Sequence, residues 1–273
     1  MGLLQVIVLA LIQGTTEFLP ISSSGHLILV PAVTGWPDQG FVTDMITNVG
    51  TLLAVIVYFW RDVIAMLRGL VDLIRRQTTR ESRLLVNIMV GTLPIVAAGL
   101  LIKAMHLDEH IRSATLVAIN AIVFGVFLYV FDAYGLMRRT MADMNWKTSL
   151  IIGGAQALSL SPGTSRSGIT MTAARGLGFN RPDAARFSFL LSIPANGAAS
   201  ALIIGDALES GQVITGAEVL TGVLTFFVAL GTITILMRLV RRVSFLPFAI
   251  YRVVLGVLLL GLIYLGVPLG AVN

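Results

Sequence analysis

The sequence contains no cysteine and little charge, and both features exclude whole classes of protein. Without cysteine the chain can form neither a disulfide nor a thiolate metal site. Its three histidines, His26, His106 and His110, leave little for a dedicated zinc site. Charged residues make up only 12% of the chain, against roughly 25% in a typical soluble domain. The composition therefore argues against a water-soluble fold.

Apolar residues are abundant instead, at 56% of the chain, with a mean hydropathy of +0.90. They form blocks of about twenty residues, the length of a helix that crosses a hydrocarbon core of about 30 Å. The blocks predict an all-α polytopic membrane protein with six spanning helices in a single integral membrane domain, residues 1–273. The predicted spans are 41–60, 84–102, 114–131, 187–204, 218–237 and 246–265. The apolar start lacks a basic region and a cleavage site, so we expect it to remain in the mature protein.

Positive charge is distributed unevenly among the predicted loops. The segments 61–83, 132–147 and 238–242 are rich in Lys and Arg, so we expect them to be cytoplasmic. The segments 103–113 and 205–217 are poor in positive charge and are expected to face outward. The net charge of +5 and the pI near 10.1 are thus explained by membrane orientation, and no nucleic-acid partner is predicted.

Two further apolar segments, about 1–38 and about 148–183, are broken by Pro, Gly and runs of Ser and Thr. We predict that both are re-entrant helical hairpins, because Arg175 and Arg181 return the second one to the cytoplasmic side. Each hairpin precedes three spans, and the two sets of spans run in opposite directions. This arrangement predicts two inverted-topology repeats, 1–135 and 148–273, a fold in which broken helices build a polar site at mid-membrane.

A short sequence echo supports the repeats. Gln13 and Gly25 are separated by the same number of residues as Gln156 and Gly168, with a Pro and a Ser cluster between them in both cases. Irregular backbone at membrane depth occurs only where protein or a water-filled cavity satisfies its hydrogen bonds. The two broken segments are therefore the candidates for the functional site.

One ionisable residue falls inside each broken segment, Glu17 in the first and Arg166 in the second. An ionised group at membrane depth costs several kcal/mol unless it is paired or hydrated, so such residues usually mark a site or a pathway. The alternative is a structural ion pair that only holds the two hairpins together.

The first hairpin reads QGTTEFLPISSSGH. Gln13 and Glu17 are four residues apart and share one face if this stretch is helical. Pro20 ends the helix, and the following turn supplies hydroxyls and backbone N–H groups from Ser22, Ser23, Ser24 and Gly25. His26 is close enough in sequence to these groups to belong to an activated nucleophile, although a lone histidine can also be structural.

The second hairpin reads SPGTSRSGIT. Pro162, Gly163 and Gly168 interrupt the helix, and hydroxyl residues crowd around Arg166, namely Thr164, Ser165, Ser167 and Thr170. A guanidinium, hydroxyls and unpaired N–H groups at a helix start make an anion cradle suited to phosphate. A merely flexible Ser/Gly loop is disfavoured between membrane-embedded apolar flanks.

The motifs TEFLPISSSGH and PGTSRSG together resemble the undecaprenyl pyrophosphate phosphatase family, also called the bacitracin resistance proteins. Similar stretches at Phe41–Arg61, Arg181–Ala195 and Ser244–Arg252 extend the resemblance over nearly the whole chain in the expected order. The resemblance implies hydrolysis of undecaprenyl pyrophosphate, a membrane lipid, to undecaprenyl phosphate in the bacterial inner membrane. It also implies recycling of this lipid carrier for cell-wall synthesis, and bacitracin resistance.

Residue roles carry over position by position. The implied catalytic residues are Glu17, Ser23, His26, Ser165 and Arg166. The expected substrate-binding residues are Gln13, Ser22, Ser24, Gly163, Thr164, Ser167, Gly168 and Thr170, while Asp44, Asn48 and Arg252 match family positions of less defined role. The resemblance further implies Mg²⁺ or Ca²⁺, held by Glu17 and substrate phosphates, since Gln13 replaces a second carboxylate found in some members.

Several alternatives remain open at this stage. The nucleophile is Ser23, His26 or a water activated by Glu17, and a homodimer is an open expectation. Loop charge predicts a site that opens toward the periplasm. A polyprenyl-phosphate transporter or flippase would share the repeats and the headgroup pocket but does not need a nucleophile beside a base. A membrane scaffold leaves Glu17 and Arg166 unexplained.

Overall fold

The computed structural model describes residues 1–27, 29–37, 40–105, 113–209 and 214–266. The segments 106–112 and 210–213 lie outside the described residues; they include His106, His110 and parts of both loops predicted to face outward. Within the described ranges the fold is all-α. Its helices are α1 Leu3–Thr16, α2 Ser23–Leu27, α3 Leu29–Thr34, α4 Phe41–Tyr58, α5 Trp60–Ile74, α6 Arg80–Ala104, α7 Ala114–Tyr134, α8 Trp146–Ala157, α9 Arg166–Gly176, α10 Arg181–Glu209, α11 Gly216–Leu239 and α12 Leu246–Tyr264.

Helices long and apolar enough to cross a membrane confirm a multi-pass protein. In the described part of the chain four qualify, α6, α7, α11 and α12, and the bent pair of α4 and α5 brings the number to as many as five. These four contain the predicted spans 84–102, 114–131 and 218–237 and nearly all of 246–265. The predicted span 187–204 lies within α10, a 29-residue helix with Pro194 inside it.

The segment 61–83, treated as a loop from its charge, is largely helical. Helix α5 follows α4 at once and turns away from it by 82°. Gly69 packs so closely on the start of α6 that an added Cβ would lie 2.4 Å from the Glu81 carbonyl oxygen. The exposed surface of α5 combines apolar side chains such as Leu67 and Ile74 with arginines, so the helix is amphipathic. A count of Lys and Arg along the segment could not reveal that it is an amphipathic helix.

The residues that flank each broken segment lie close together. In the first, the Thr43 hydroxyl, in the first turn of α4, lies 3.9 Å from the Met1 sulfur. In the second, the Arg139 N–H donates to the Gly178 carbonyl and the Asn180 N–H donates to the Arg139 carbonyl, both at 2.9 Å. The loop before α8 and the loop after α9 are therefore joined.

Helices from one half of the chain pack against helices from the other half. Helix α1 packs against α11, and its counterpart α8 packs against α6. Helix α4 also packs against α11, and α10 packs against α6, while α7 and α12 pack against each other. Small residues allow the close approaches: a Cβ at Gly153 of α8 would lie 2.0 Å from the Gly91 carbonyl oxygen of α6.

A buried charge cluster fixes the C-terminal end of α9. Arg175 is fully buried and its Nε donates to Asp132 Oδ1 of α7 at 2.7 Å. Arg181 Nε donates to the same oxygen at 2.8 Å, and the Phe245 N–H donates to Asp132 Oδ2 at 2.9 Å. Arg175 and Arg181 were interpreted from sequence only as markers of the cytoplasmic side. Asp132 joins them from 43 residues away from Arg175, a pairing that local sequence patterns do not show.

Candidate active site

The tips of the two hairpins enclose one polar cavity of about 300 Å³ together with α10. Its lining includes seven residues predicted from sequence, namely Glu17, Ser22, Ser23, Ser24, Gly163, Ser165 and Arg166. Gln13, Thr164, Ser167, Gly168 and Thr170 are buried next to this lining and support it. The cavity thus brings together groups that are more than 130 residues apart in sequence.

Glu17 lies at the centre of the hydrogen-bond network. Arg166 Nη2 donates to Glu17 Oε1 at 2.6 Å, which joins the second hairpin to the first. The other carboxylate oxygen accepts hydrogen bonds from Ser23 Oγ at 2.9 Å and from Gln13 Nε2 at 3.1 Å. A carboxylate that accepts from a serine hydroxyl is placed to take its proton, so Glu17 and Ser23 have the geometry of a base and a nucleophile.

Arg166 is the first residue of α9, so the positive charge of the cavity comes from the N-terminus of a helix. Ser165 caps the helix, because its Oγ accepts from the Gly168 N–H at 3.2 Å. The helix dipole adds partial positive charge at this end, where anions bind. The arginine, the cap and the dipole give the α9 end of the cavity the features of an anion-binding site.

Both hairpin tips have a serine with a left-handed backbone at the equivalent position. Ser22 precedes α2 with φ of 73°, and Ser165 precedes α9 with φ of 67°. A non-glycine residue with positive φ is uncommon and is retained where surrounding contacts enforce it. Here the contacts are hydrogen bonds between the hairpins, from Ser167 Oγ to the Leu19 carbonyl and from the Gly163 N–H to Ser24 Oγ, both at 3.2 Å.

Arg252 of α12 supports the second hairpin from behind. Its side chain is fully buried, and Nη2 donates to the carbonyls of Gly163 at 3.0 Å and Thr164 at 2.8 Å. Its Nη1 has no protein partner among the described residues, and a Cβ at Gly168 would lie 2.6 Å from it. The glycine at 168 therefore makes room for a buried cation directly behind the start of α9.

Gly163 has its own steric requirement in the same loop. Its φ is +88°, and a Cβ there would lie 2.4 Å from the Val117 carbonyl oxygen. Side chains of L-amino acids are strained at this φ, so the turn needs glycine on two grounds. Thr170 holds the following turn, since its hydroxyl donates to the Arg166 carbonyl at 2.8 Å and lies 2.6 Å from the Ser188 hydroxyl.

His26 does not line this cavity. Its Nδ1 lies 2.7 Å from the Ser22 carbonyl oxygen and its Nε2 lies 2.6 Å from the Tyr251 hydroxyl of α12. Both ring nitrogens are thus occupied on the far side of the hairpin. There His26 borders a second, mostly apolar cleft of about 520 Å³ between α1 and α12.

The donor set of the cavity limits how a metal could bind. The residues that the structure describes contain no group of three or more His, Cys, Asp and Glu side chains that could hold an ion. Glu17 is the carboxylate of the cavity, with serine hydroxyls beside it. Hard oxygen donors of this kind suit Mg²⁺ or Ca²⁺, and Mg²⁺ is commonly held by one or two carboxylates together with substrate phosphates.

Two groups near the cavity were missed by the sequence analysis. Asn196 of α10 lines the cavity, and Tyr251 of α12 binds His26. A polar residue within an apolar span, two positions after Pro194, was the available signal for Asn196. Tyr251 gave no signal because its partner is 225 residues away.

Comparisons with known proteins show the family of the chain. Residues 6–258 match the family model of bacitracin resistance protein BacA. The undecaprenyl-diphosphatase of Erythrobacter litoralis is 46% identical, over 95% of this chain and 99% of the relative. Relatives of the same name from Ruegeria sp. (strain TM1040) and Chromohalobacter salexigens are 46% and 47% identical, over 97% and 95% of this chain and 100% and 98% of their own length.

Proposed function

The chain belongs to the bacitracin resistance protein BacA family, and from this premise we propose that it hydrolyses undecaprenyl diphosphate. The products are undecaprenyl phosphate, which returns to cell-wall synthesis, and inorganic phosphate. Membership of this family also implies bacitracin resistance. The observation that carries this proposal is the Arg166–Glu17 pair beside Ser23, formed between the two hairpin tips.

In the proposed reaction, Arg166 and the N–H groups at the start of α9 bind the diphosphate. They stabilise negative charge on the phosphoryl oxygens in the transition state, which is the main catalytic requirement of phosphoryl transfer. Buried Arg252 adds positive charge behind them. Ser165 contributes by fixing the helix start through its hydrogen bond to the Gly168 N–H.

Glu17 acts as the base, and Ser23 is the hydroxyl nearest to it. In this route Ser23 Oγ attacks the terminal phosphorus as its proton passes to Glu17, and the bond to the bridging oxygen breaks. Undecaprenyl phosphate leaves and takes this proton, so Glu17 is ionised again. Glu17 then takes a proton from a water that attacks the phosphoserine, the bond to Ser23 Oγ breaks, and inorganic phosphate and the Ser23 hydroxyl are released. Rapid acid quench with labelled substrate tests this route: a phosphoenzyme absent from Ser23→Ala supports it, and no phosphoenzyme in wild type contradicts it in favour of direct attack by water.

A divalent cation, Mg²⁺ or Ca²⁺, would be held by Glu17 together with substrate phosphates and water. When bound, such an ion neutralises charge on the diphosphate and lowers the energy of the leaving group. His26 supports the first hairpin in this account, because its two nitrogens bind the Ser22 carbonyl and the Tyr251 hydroxyl. The apolar cleft beside His26 offers a surface for part of the prenyl chain.

For the fold we propose six spanning helices, two re-entrant hairpins and two inverted-topology repeats. The exchanged packing of α1 on α11 and α8 on α6 supports the repeats. So does the equal separation, in the two halves, of the glutamine from the left-handed serine, Gln13 to Ser22 and Gln156 to Ser165. The meeting of each hairpin's two ends supports re-entry.

We place the protein in the bacterial inner membrane with the cavity opening toward the periplasm, because the Arg-rich loops mark the cytoplasmic side. The absence of cysteine makes this testable with single-cysteine variants. Ser159→Cys, in the cavity lining, should react with a membrane-impermeant maleimide added to intact spheroplasts. Gln77→Cys, in the exposed loop between α5 and α6, should react only after lysis. The reverse pattern would contradict the orientation.

A lipid transporter with the same headgroup pocket is the second candidate, favoured by the inverted repeats. The two functions can be distinguished in detergent, where there is no gradient to drive transport but hydrolysis can still be measured. Purified wild-type protein should release phosphate from undecaprenyl diphosphate with added Mg²⁺ or Ca²⁺. A folded protein that releases none over several prenyl lengths and divalent ions would contradict the enzyme and leave the transporter.

A further inference from the structure

Asn196 is a buried polar residue of the cavity wall with an unused hydrogen-bond donor. It lies in the apolar part of α10 and is 8% exposed. Its side chain lines the same cavity as Glu17 and Arg166. Among the residues that the structure describes, its Nδ2 has no hydrogen-bond partner. A buried amide donor without a partner is unfavourable, and its place in a polar cavity indicates that a ligand or water completes it.

The position of Asn196 along α10 can be compared with that of Arg166 along α9. The two helices follow each other through a short loop and are joined where the Ser188 hydroxyl lies 2.6 Å from the Thr170 hydroxyl. From this contact Asn196 is eight residues further along α10 and Arg166 is four residues back along α9, and both side chains line the same cavity.

An anion held against Arg166 and the N–H groups at the start of α9 would therefore share this cavity with the Asn196 amide. A ligand that fits both Arg166 and the Asn196 amide has negatively charged oxygens that extend beyond the N-terminus of α9. A diphosphate is longer than a single phosphate and presents non-bridging oxygens in both directions. An apolar prenyl chain would leave the amide unpaired, so it is a poor match for this wall.

We propose that Asn196 is a further substrate-binding residue, whose side-chain amide donates a hydrogen bond to a non-bridging diphosphate oxygen. This inference rests on the proposed function and adds to it a contact from α10, an element outside both hairpins. Of the other buried polar side chains on this face of α10, Ser188 and Ser192 have protein partners, while the Ser200 hydroxyl has none among the described residues but does not line the cavity. Ser188 bonds Thr170, and Ser192 donates to the Phe189 carbonyl at 2.7 Å.

The test compares Asn196→Leu and Asn196→Ser with a matched control, Ser200→Ala. Leucine keeps the volume and removes the donor, whereas serine keeps a shorter donor. Ser200 is buried one turn further along α10 and does not line the cavity. For each folded variant, kcat and KM for undecaprenyl diphosphate are measured, together with the dissociation constant of inorganic diphosphate by calorimetry.

Asn196→Leu should raise KM and the dissociation constant of diphosphate about tenfold, as expected for one lost hydrogen bond to a charged oxygen. Its kcat should change much less, which separates binding from general damage. Asn196→Ser should show a smaller rise of both constants, and it carries the test if the leucine variant does not fold. Ser200→Ala should match wild type.

Wild-type constants in Asn196→Leu would overturn the proposal, as would an equal rise in Ser200→Ala. Calorimetry measures binding of diphosphate without hydrolysis, so it tests the Asn196 contact separately from the proposed enzymatic function. If wild type binds diphosphate and Asn196→Leu binds it more weakly, the contact stands even if no phosphate is released. If wild type hydrolyses the lipid and the variants bind diphosphate normally, only the Asn196 contact fails.

Discussion

Buried charged residues in this protein are matched either by opposite charge or by backbone carbonyls. Glu17 accepts from Arg166 in the cavity, and Asp132 accepts from Arg175 beneath it. Arg252 donates instead to the carbonyls of the Gly163 loop. Burying an unpaired charge costs several kcal/mol, so removal of one partner should be far more damaging than removal of an exposed charge.

Asp132→Asn tests this at the cluster under α9. The amide cannot balance Arg175, which is fully buried, so the free energy of unfolding should fall by about 3–5 kcal/mol. Thermal unfolding in detergent measures the change, and phosphate release should fall with the folded fraction. Asp143→Asn removes an exposed carboxylate on the same side of the protein and serves as the control. A variant at Asp132 as stable as wild type would contradict the role of the cluster.

The individual residues that the sequence identified were those whose type is costly at membrane depth. Glu17 and Arg166 could be predicted because an ionised side chain inside an apolar segment demands a partner, and the structure pairs them. The pairing of His26 with Tyr251 could not be predicted, because it depends on how α12 packs on the first hairpin. The role of Asp132 was hidden for the same reason, since its partners lie on other helices.

Among the elements, α9 has the most constraints. Its N-terminus carries Arg166 and the Ser165 cap, its C-terminus is held by Arg175, and its middle bonds α10 through Thr170. A helix fixed at three points keeps its N–H groups preorganised for an anion, which is how electrostatic catalysis avoids reorganisation during the reaction.

Close helix contacts at the element scale are tested by a pair of neighbouring glycines in α8. At Gly153 an added Cβ would lie 2.0 Å from the Gly91 carbonyl oxygen, whereas at Gly154 nothing lies within 4 Å. Gly153→Ala should push α8 and α6 apart and destabilise the protein by about 1–3 kcal/mol. Gly154→Ala should be neutral or stabilising by up to about 1 kcal/mol. Equal melting temperatures for the two variants would contradict the contact.

The sequence predicted the long apolar helices well because length and hydropathy are local properties. The largely helical structure of the segment 61–83 was missed by the sequence analysis, because its charge alone suggested a loop. In the structure, α5 has buried, exposed apolar and charged positions along its length. The break in the second segment was predicted correctly at Pro162 to Gly163, which lie between helical residues. In the first segment the helix ends earlier than predicted, at Thr16 and not at Pro20. Proline alone does not fix a break, because Pro94 and Pro194 lie inside helices.

For the whole molecule, the exchanged packing of the two halves explains how distant motifs form one cavity. The first helix of each hairpin packs against a long helix of the other half, α1 against α11 and α8 against α6, so the two tips meet. Neither half alone supplies both the carboxylate and the guanidinium. The sequence could not predict that Asn196 would complete the wall between the tips, because this depends on how α10 packs.

The central claim is that Glu17 and Arg166 together make a diphosphate-hydrolysing site, and phosphate release from undecaprenyl diphosphate by purified variants tests it most directly. Glu17→Gln and Arg166→Ala should each lower kcat by about a hundredfold or more while the fold is retained. Arg186→Ala, which breaks an Arg–carboxylate pair with Asp62 outside the cavity, should keep near wild-type activity. Folded Glu17 and Arg166 variants with wild-type rates would contradict the account.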